Sequence, residues 1–179
     1  VEIDVIPSMA RLPERLDQYL FSVRHMVSTA AVFMREGERA PASVAEVAAL
    51  RLVVARNSSP LSYVRRKGWL EHTQVVPTTD EALRAVAAGR AEACLSNQLV
   101  GLSVLRNLKL EDKITPVFTL PDSSVDFCMV VHRTAGELLA RLNDGLLIAS
   151  ERGDLQRHRE KWLPAFESVA SHAHMRLLM

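Results

Sequence analysis

Aromatic side chains are scarce, at 5% of the 179 residues. Single-stranded nucleic acids are held by aromatic platforms set in a basic groove. The groove is missing as well: 22 basic residues against 21 acidic ones leave a formal net charge of +1. That balance gives no long-range field for a nucleic acid or an anionic membrane. No apolar run approaches the ~20 residues that would span a bilayer. The opening, Val1-Glu2-Ile3-Asp4-Val5-Ile6, lacks the basic and long apolar regions of a signal peptide. It reads as a strand entered in mid-course, so more chain is expected before Val1. The two cysteines, Cys94 and Cys128, each sit in an apolar strand-like run. Pairing in an oxidising compartment and burial as small core residues both remain open, and neither fixes the location. There is no internal repeat and no low-complexity segment.

What is present is the balance of a soluble globular protein, 48% hydrophobic and 24% charged. The length suits one domain or two small lobes. Apolar, β-branched runs alternate with helical patterns, which predicts an α/β fold with largely parallel strands. Strands are expected over 3–6, 28–34, 50–55, 74–76, 91–95, 114–120 and 125–132. Helices are expected behind Pro13, behind the capping boxes at Ser43 and Thr78, over 61–67, 98–107, 135–151 and 155–162, and again after Pro164. Gly68, Gly89 and Gly153 read as helix stops.

Three stretches together resemble extracellular solute-binding proteins of family 3, the amino-acid-type periplasmic binding proteins. The first is the acidic strand at Asp4 followed by Pro13-Glu14-Arg15 and Phe21-Ser22. The second is Thr79-Asp80-Glu81-Ala82-Leu83 running on to Ala88-Gly89-Arg90-Ala91-Glu92-Ala93. The third is Arg152-Gly153-Asp154-Leu155 with Lys161-Trp162-Leu163. Their order and spacing carry the resemblance from Glu2 to Leu163. It implies a two-lobed, Venus-flytrap α/β fold that closes by hinge motion on a small molecule in the interlobe cleft. The partial, discontinuous first lobe would comprise 1–31 and 119–179, and the second lobe 32–118. The family also has tens of residues before the position of Glu2, so the first lobe is expected to be incomplete here.

The resemblance also implies a ligand site. Arg15 would grip a carboxylate through the planar guanidinium fork; a surface arginine paired with Glu14 or Asp17 is the alternative. Ser8, just past the first predicted strand, would offer a hydroxyl, while the next hydroxyl position of the family is Ala10 here. Ser58 and Ser59, between a strand and a helix start, would complete the carboxylate site or serve as ordinary caps. Asn97 departs from the pattern. Amino-acid binders of the family usually carry Asp there for the ligand's ammonium group, and a buried ammonium without a counter-charge is costly. The ligand is therefore expected to lack an α-amino group or to find its counter-ion elsewhere. Val23-Arg24-His25-Met26 departs too, lacking an aromatic that many members carry.

No metal or cofactor is expected: His172 and His174 alternate on a predicted helix and do not face one ion. Trp69 and Trp162 read as lobe anchors. The candidate residues contain no carboxylate–His pair and no Ser–His–Asp set, so an enzyme, such as a dehydratase on this scaffold, is the weaker expectation. The leading expectation is a periplasmic or otherwise extracytoplasmic solute-binding protein serving a membrane permease of the ABC type. The alternative is the sensor domain of a membrane signalling receptor.

Overall fold

The computed structural model describes residues 3–162. The chain forms two compact units, one from residues 3–28 and 125–162, the other from residues 29–124.

The first unit is a three-stranded antiparallel sheet in the order β1 (Val5–Ala10), β8 (Val125–His132), β2 (Tyr19–Ser28). A single 3-10 turn at Pro13–Arg15 links β1 to β2. Helix α5 (Gly136–Glu151) packs on β2 and β8, and α6 (Asp154–Trp162) follows after Gly153, whose φ of +72° is the left-handed value that glycine tolerates. The sheet is irregular on both sides of its central strand. The β1 register slips between Ile6 and Met9, and the β2 register slips on either side of Arg24. Pro7 sits in the first irregularity. Proline has no N–H for the ladder and is tolerated on an edge strand of this kind. In the second, the buried Ser22 hydroxyl accepts the Met129 N–H at 2.9 Å and donates to the Val23 carbonyl at 2.7 Å, replacing ladder bonds with side-chain ones.

The second unit is a five-stranded sheet in the order β5 (Thr73–Val76), β4 (Leu52–Ala55), β6 (Ala93–Asn97), β3 (Ala30–Arg35), β7 (Ile114–Thr119). Helices α1 (Val44–Ala48), α2 (Ser59–Lys67), α3 (Thr79–Ala87) and α4 (Gln98–Leu108) cover it. Period-two alternation sorts its strands onto two cores. Ala30, Val32, Met34, Leu52, Val54, Ala93 and Leu95 face Val47, Leu61, Tyr63 and Val64 of α1 and α2. Ala31, Phe33, Val53 and Cys94 face Ala82, Leu83, Val86 and Leu105 of α3 and α4. A sheet covered on both faces needs apolar residues at every position, which is why its strands read as unbroken apolar runs. Trp69 packs on the first core, edge-on to Tyr63 with ring centroids 5.7 Å apart.

The expectation of largely parallel strands is corrected. Among the described residues only β4 pairs in parallel, with β5 and with β6, and every other pairing is antiparallel. The chain enters and leaves the second unit through β3 and β7, which run antiparallel to each other, and β3 also runs antiparallel to β6. Cys94 and Cys128 are free and buried, and burial pushes the Cys94 thiol up to about 12. The helix expected after Pro164 and the histidines 172 and 174 lie outside the described residues.

Candidate functional site

In the second unit, β4 and β6 are hydrogen-bonded neighbours running the same way, with Val54 opposite Leu95. Each leads directly into a helix, but to opposite faces. Helix α2 after β4 packs on one core, and α4 after β6 packs on the other. Where connections from adjacent parallel strands part in this way, a crevice opens at the carboxyl ends of the strands, and small molecules bind there in open α/β sheets. Ser58, Ser59 and Asn97 all stand on this edge. Arg56 directly follows β4 at the same edge.

The individual groups are not equivalent. Ser58 is the N-cap of α2: its hydroxyl donates to the Ala55 carbonyl at 2.6 Å and accepts the Leu61 N–H at 3.3 Å. Its polar capacity is largely used within the turn. Ser59, the first residue of α2, is half-buried, and its hydroxyl has no side-chain partner among the described residues. Pro60 supplies no N–H, and that of Leu61 is taken by the cap. The Ser59 N–H and hydroxyl are thus the donors this turn presents. Asn57 holds the turn in a left-handed conformation, φ +55°, which asparagine adopts more readily than most residues.

Asn97 is 6% exposed and is both the last residue of β6 and the N-cap of α4. Its Oδ1 accepts the Val100 N–H at 3.3 Å. The start of α4 thus engages that oxygen. The strand also runs two residues further than expected, to Asn97 itself. Arg56 was not singled out from the sequence. It is exposed and its backbone N–H bonds the Val76 carbonyl at 2.8 Å. The signal was available, since it directly follows a strand that ends at a helix start.

The remaining candidates belong to the first unit. Ser8 is exposed, and it lies inside β1 at the register slip rather than past the strand end. Pro7 explains the difference, because an apolar run broken by proline reads as finished although the strand resumes beyond the irregularity. Arg15 is half-buried and closes the 3-10 turn. One of its guanidinium nitrogens donates to the Ala10 carbonyl at 3.0 Å. The bond orients the guanidinium and ties the turn back to the end of β1.

A shallow hollow along α4, lined by Leu99, Val100, Ser103 and Val104, is almost wholly apolar and offers no counter-charge for an anion. Among the described residues, no group of three or more His, Cys, Asp or Glu side chains is placed to hold a metal ion, and no helix is long and apolar enough to cross a membrane.

The structure is similar to that of a histidine kinase sensor domain with similarity to periplasmic binding proteins: TM-score 0.81, 25% identity, covering 90% of this chain and 70% of that one. It is also similar to the arginine-, lysine-, histidine-binding protein ArtJ of Geobacillus stearothermophilus, with TM-score 0.76, 18% identity and coverage of 94% and 74%. A periplasmic domain of BvgS from Bordetella pertussis matches at TM-score 0.73 and 20% identity, covering 89% and 67%. At their identities the last two likenesses speak for the two-lobed fold alone. Comparison with curated proteins gives no match. The sequence profile of the bacterial extracellular solute-binding proteins, family 3, matches residues 1–165, and the chain belongs to that family.

Proposed function

We propose that this protein captures a small carboxylate-bearing solute outside the cytoplasm, in the periplasm of a cell that has one, as the binding component of a transporter of the ABC type. The observation that carries this reading is the donor-rich edge at the switch point of β4 and β6, on a fold whose family is named for solute binding. Ser59 and Arg56 present donors there, Asn97 stands on the same edge, and Ser58 holds the turn at the start of α2. On the first unit, Arg15 supplies the bidentate carboxylate grip and Ser8 a hydroxyl, as the family resemblance implies.

The test is a thermal-shift and calorimetric screen of carboxylate metabolites against the 179-residue chain. A ligand at 100 times its dissociation constant stabilises the folded state by about 2.7 kcal/mol, a shift that is easily read. Arg15→Ala should abolish the response while the ligand-free melting temperature shows whether the Ala10 contact matters to the fold. A folded protein that answers to none of the carboxylates overturns the reading.

Sensing is the second reading, and the likeness to a histidine kinase sensor domain favours it. The binding chemistry would be the same, and the reporter would be an attached signalling module in place of a permease. Reading the gene on both sides of this segment separates the two: a membrane span with a kinase or similar domain supports sensing, whereas neighbouring permease genes support transport.

A further inference from the structure

Two irregularities in the sheet of the first unit lie at the same level. The register of β1 slips between Ile6 and Met9, and that of β2 between Phe21 and Arg24; both slips fall opposite the stretch of β8 from Val130 to Cys128. One further residue, His25, stands between Arg24 and Met26, whose partners Cys128 and Phe127 are adjacent. A residue inserted in this way leaves the ladder and its side chain is re-aimed.

His25 joins three elements. The Arg159 guanidinium donates to its backbone carbonyl, which ties α6 to β2. Its ring is hydrogen-bonded to the Pro7 backbone in β1. Proline has no N–H, so the ring donates and the carbonyl accepts. A neutral imidazole has one N–H to give, and this bond uses it. Nε2 is buried and has no partner among the described residues. A second proton would therefore create a buried cation with a donor that nothing accepts, the costly case for a polar group.

The surrounding charges do not compensate. The Arg159 charge opposes a proton on the ring. On β2 the neighbouring Arg24 is paired with Asp126 of β8 at 3.4 Å, which engages that carboxylate. Burial keeps the Cys128 thiol of β8 neutral by pushing its pKa up. Strand β1 has no titratable side chain from Val5 to Ala10. Helix α5 meets β2 where Asn143 Oδ1 accepts the Val23 N–H at 2.8 Å, and its charged residues, Glu137, Arg141, Asp144 and Glu151, are exposed. On α6, His158 is exposed as well.

Relief comes at least cost from α6. Strands β1 and β2 are held along the ladder of β8, whereas α6 leans on α5 and is tied to β2 through Arg159. Segments with few contacts open locally, well below the free energy of global unfolding. We propose that His25 is an acid-sensitive catch: with a neutral ring, α6 is docked on β2, and a proton on the ring releases it. The device does not rest on the solute-capture reading. The docked ring holds a proton more weakly than the released one, so release grows as the pH falls below the ordinary 6.5.

Hydrogen exchange on the 179-residue chain, corrected for the intrinsic effect of pH on exchange, tests this. From about pH 7.5 to about pH 5, protection of the α6 amides should fall at least about threefold relative to β8. The fall should not exceed about tenfold per pH unit, the limit for one linked proton. His25→Gln keeps an N–H for Pro7 and carries no charge, so the ratio should become independent of pH. Arg159→Gln should lose α6 protection already at neutral pH, and His158→Gln should behave as the wild type. The His25 ring titration, followed by NMR, should share its midpoint with the change in α6, which decides the matter if His25→Gln does not fold. A flat wild-type ratio overturns the inference, as does protection lost equally in β8 and α6. So does a pH dependence that survives His25→Gln or disappears in His158→Gln.

Discussion

Two adjacent hydroxyls, Ser58 and Ser59, illustrate how differently neighbouring side chains are used. Ser58 is engaged from both sides, by the Ala55 carbonyl and the Leu61 N–H. Removing it strands one of the first donors of α2, a loss of about 0.5–2 kcal/mol for an N-cap serine. Ser58→Ala should therefore lower the urea midpoint of the protein. Ser59→Ala should leave that midpoint unchanged and weaken solute binding instead. Equilibrium unfolding and titration of both variants check the division of roles, and a stability loss confined to Ser59→Ala would reverse it. The presence of a cap here was legible, because Asn-Ser-Ser-Pro stands between a strand and a helix. Which serine caps was not, since that depends on where the first turn closes. Asn97 was legible as a departure in charge, but the use of its carbonyl by α4 is a matter of backbone geometry that composition does not carry.

His25 makes a second prediction at the same scale. It lies in the irregular stretch of β2 with its Nε2 buried and without a partner among the described residues. Burial holds its pKa below the ordinary 6.5; a hydrogen bond with the Pro7 backbone opposes this, and the Arg159 charge adds to it. Above pH 6.5 the imidazole is neutral in the folded and the unfolded chain alike, and this contribution to stability is complete. As the pH falls below 6.5, the unfolded chain takes up the proton first. Stability then declines until the pH has passed the lowered folded value, where the loss levels off. Melting temperatures measured from neutral pH downward should fall less steeply in His25→Gln than in the wild type. Parallel curves would remove His25 from the acid sensitivity.

Among the elements, those with a clean period were readable and those with an interrupted one were not. The strands of the doubly covered sheet announce themselves as apolar runs, and α3 as a stripe behind its Thr78 cap. Strand β2 went unread because the slips around Arg24 break its alternation of inward and outward residues. The antiparallel course of β3 and β7 was equally hidden, since strand direction follows from connections rather than from composition. Packing between elements supplies a sharper prediction. Helix α4 meets β3 at Gly101, where a Cβ would come within 2.3 Å of Phe33 Cζ and 2.6 Å of Cε2. Phe33 is fully buried and has no space to retreat. Gly101→Ala should cost about 1–3 kcal/mol, the usual range for overpacking a filled core. Pairing it with Phe33→Leu should recover part of the loss, because the clash is with the ring. A urea midpoint unchanged by Gly101→Ala would mean that α4 does not approach β3 so closely.

Across the whole molecule, the burial of apolar residues is uneven. Among the described residues, the largest fully buried side chains, from Val32 and Phe33 to Ile114 and Leu120, all belong to residues 29–124. The other unit buries Ala10, Leu12, Cys128, Val130, Val131 and Leu146, while Ile3, Leu16, Val23, Val27, Leu147 and Ile148 stay exposed. The two-lobed family was legible from three short stretches in order; this asymmetry was not, because it depends on which faces find a cover. Stability follows burial, and segments with few buried apolar contacts open locally well below the free energy of global unfolding. In hydrogen exchange on the 179-residue chain, the amides of β4 and β6 should be the slowest, exchanging only through global unfolding. Those of β1, β2 and α5 should exchange faster through partial opening, and limited proteolysis should cut first within residues 136–162. A saturating solute held by the β4–β6 edge would slow exchange of the first turns of α2 and α4 most. Uniform exchange across both units would mean that they unfold as one cooperative body, and that the sparse core of the first is compensated by contacts that burial alone does not reveal.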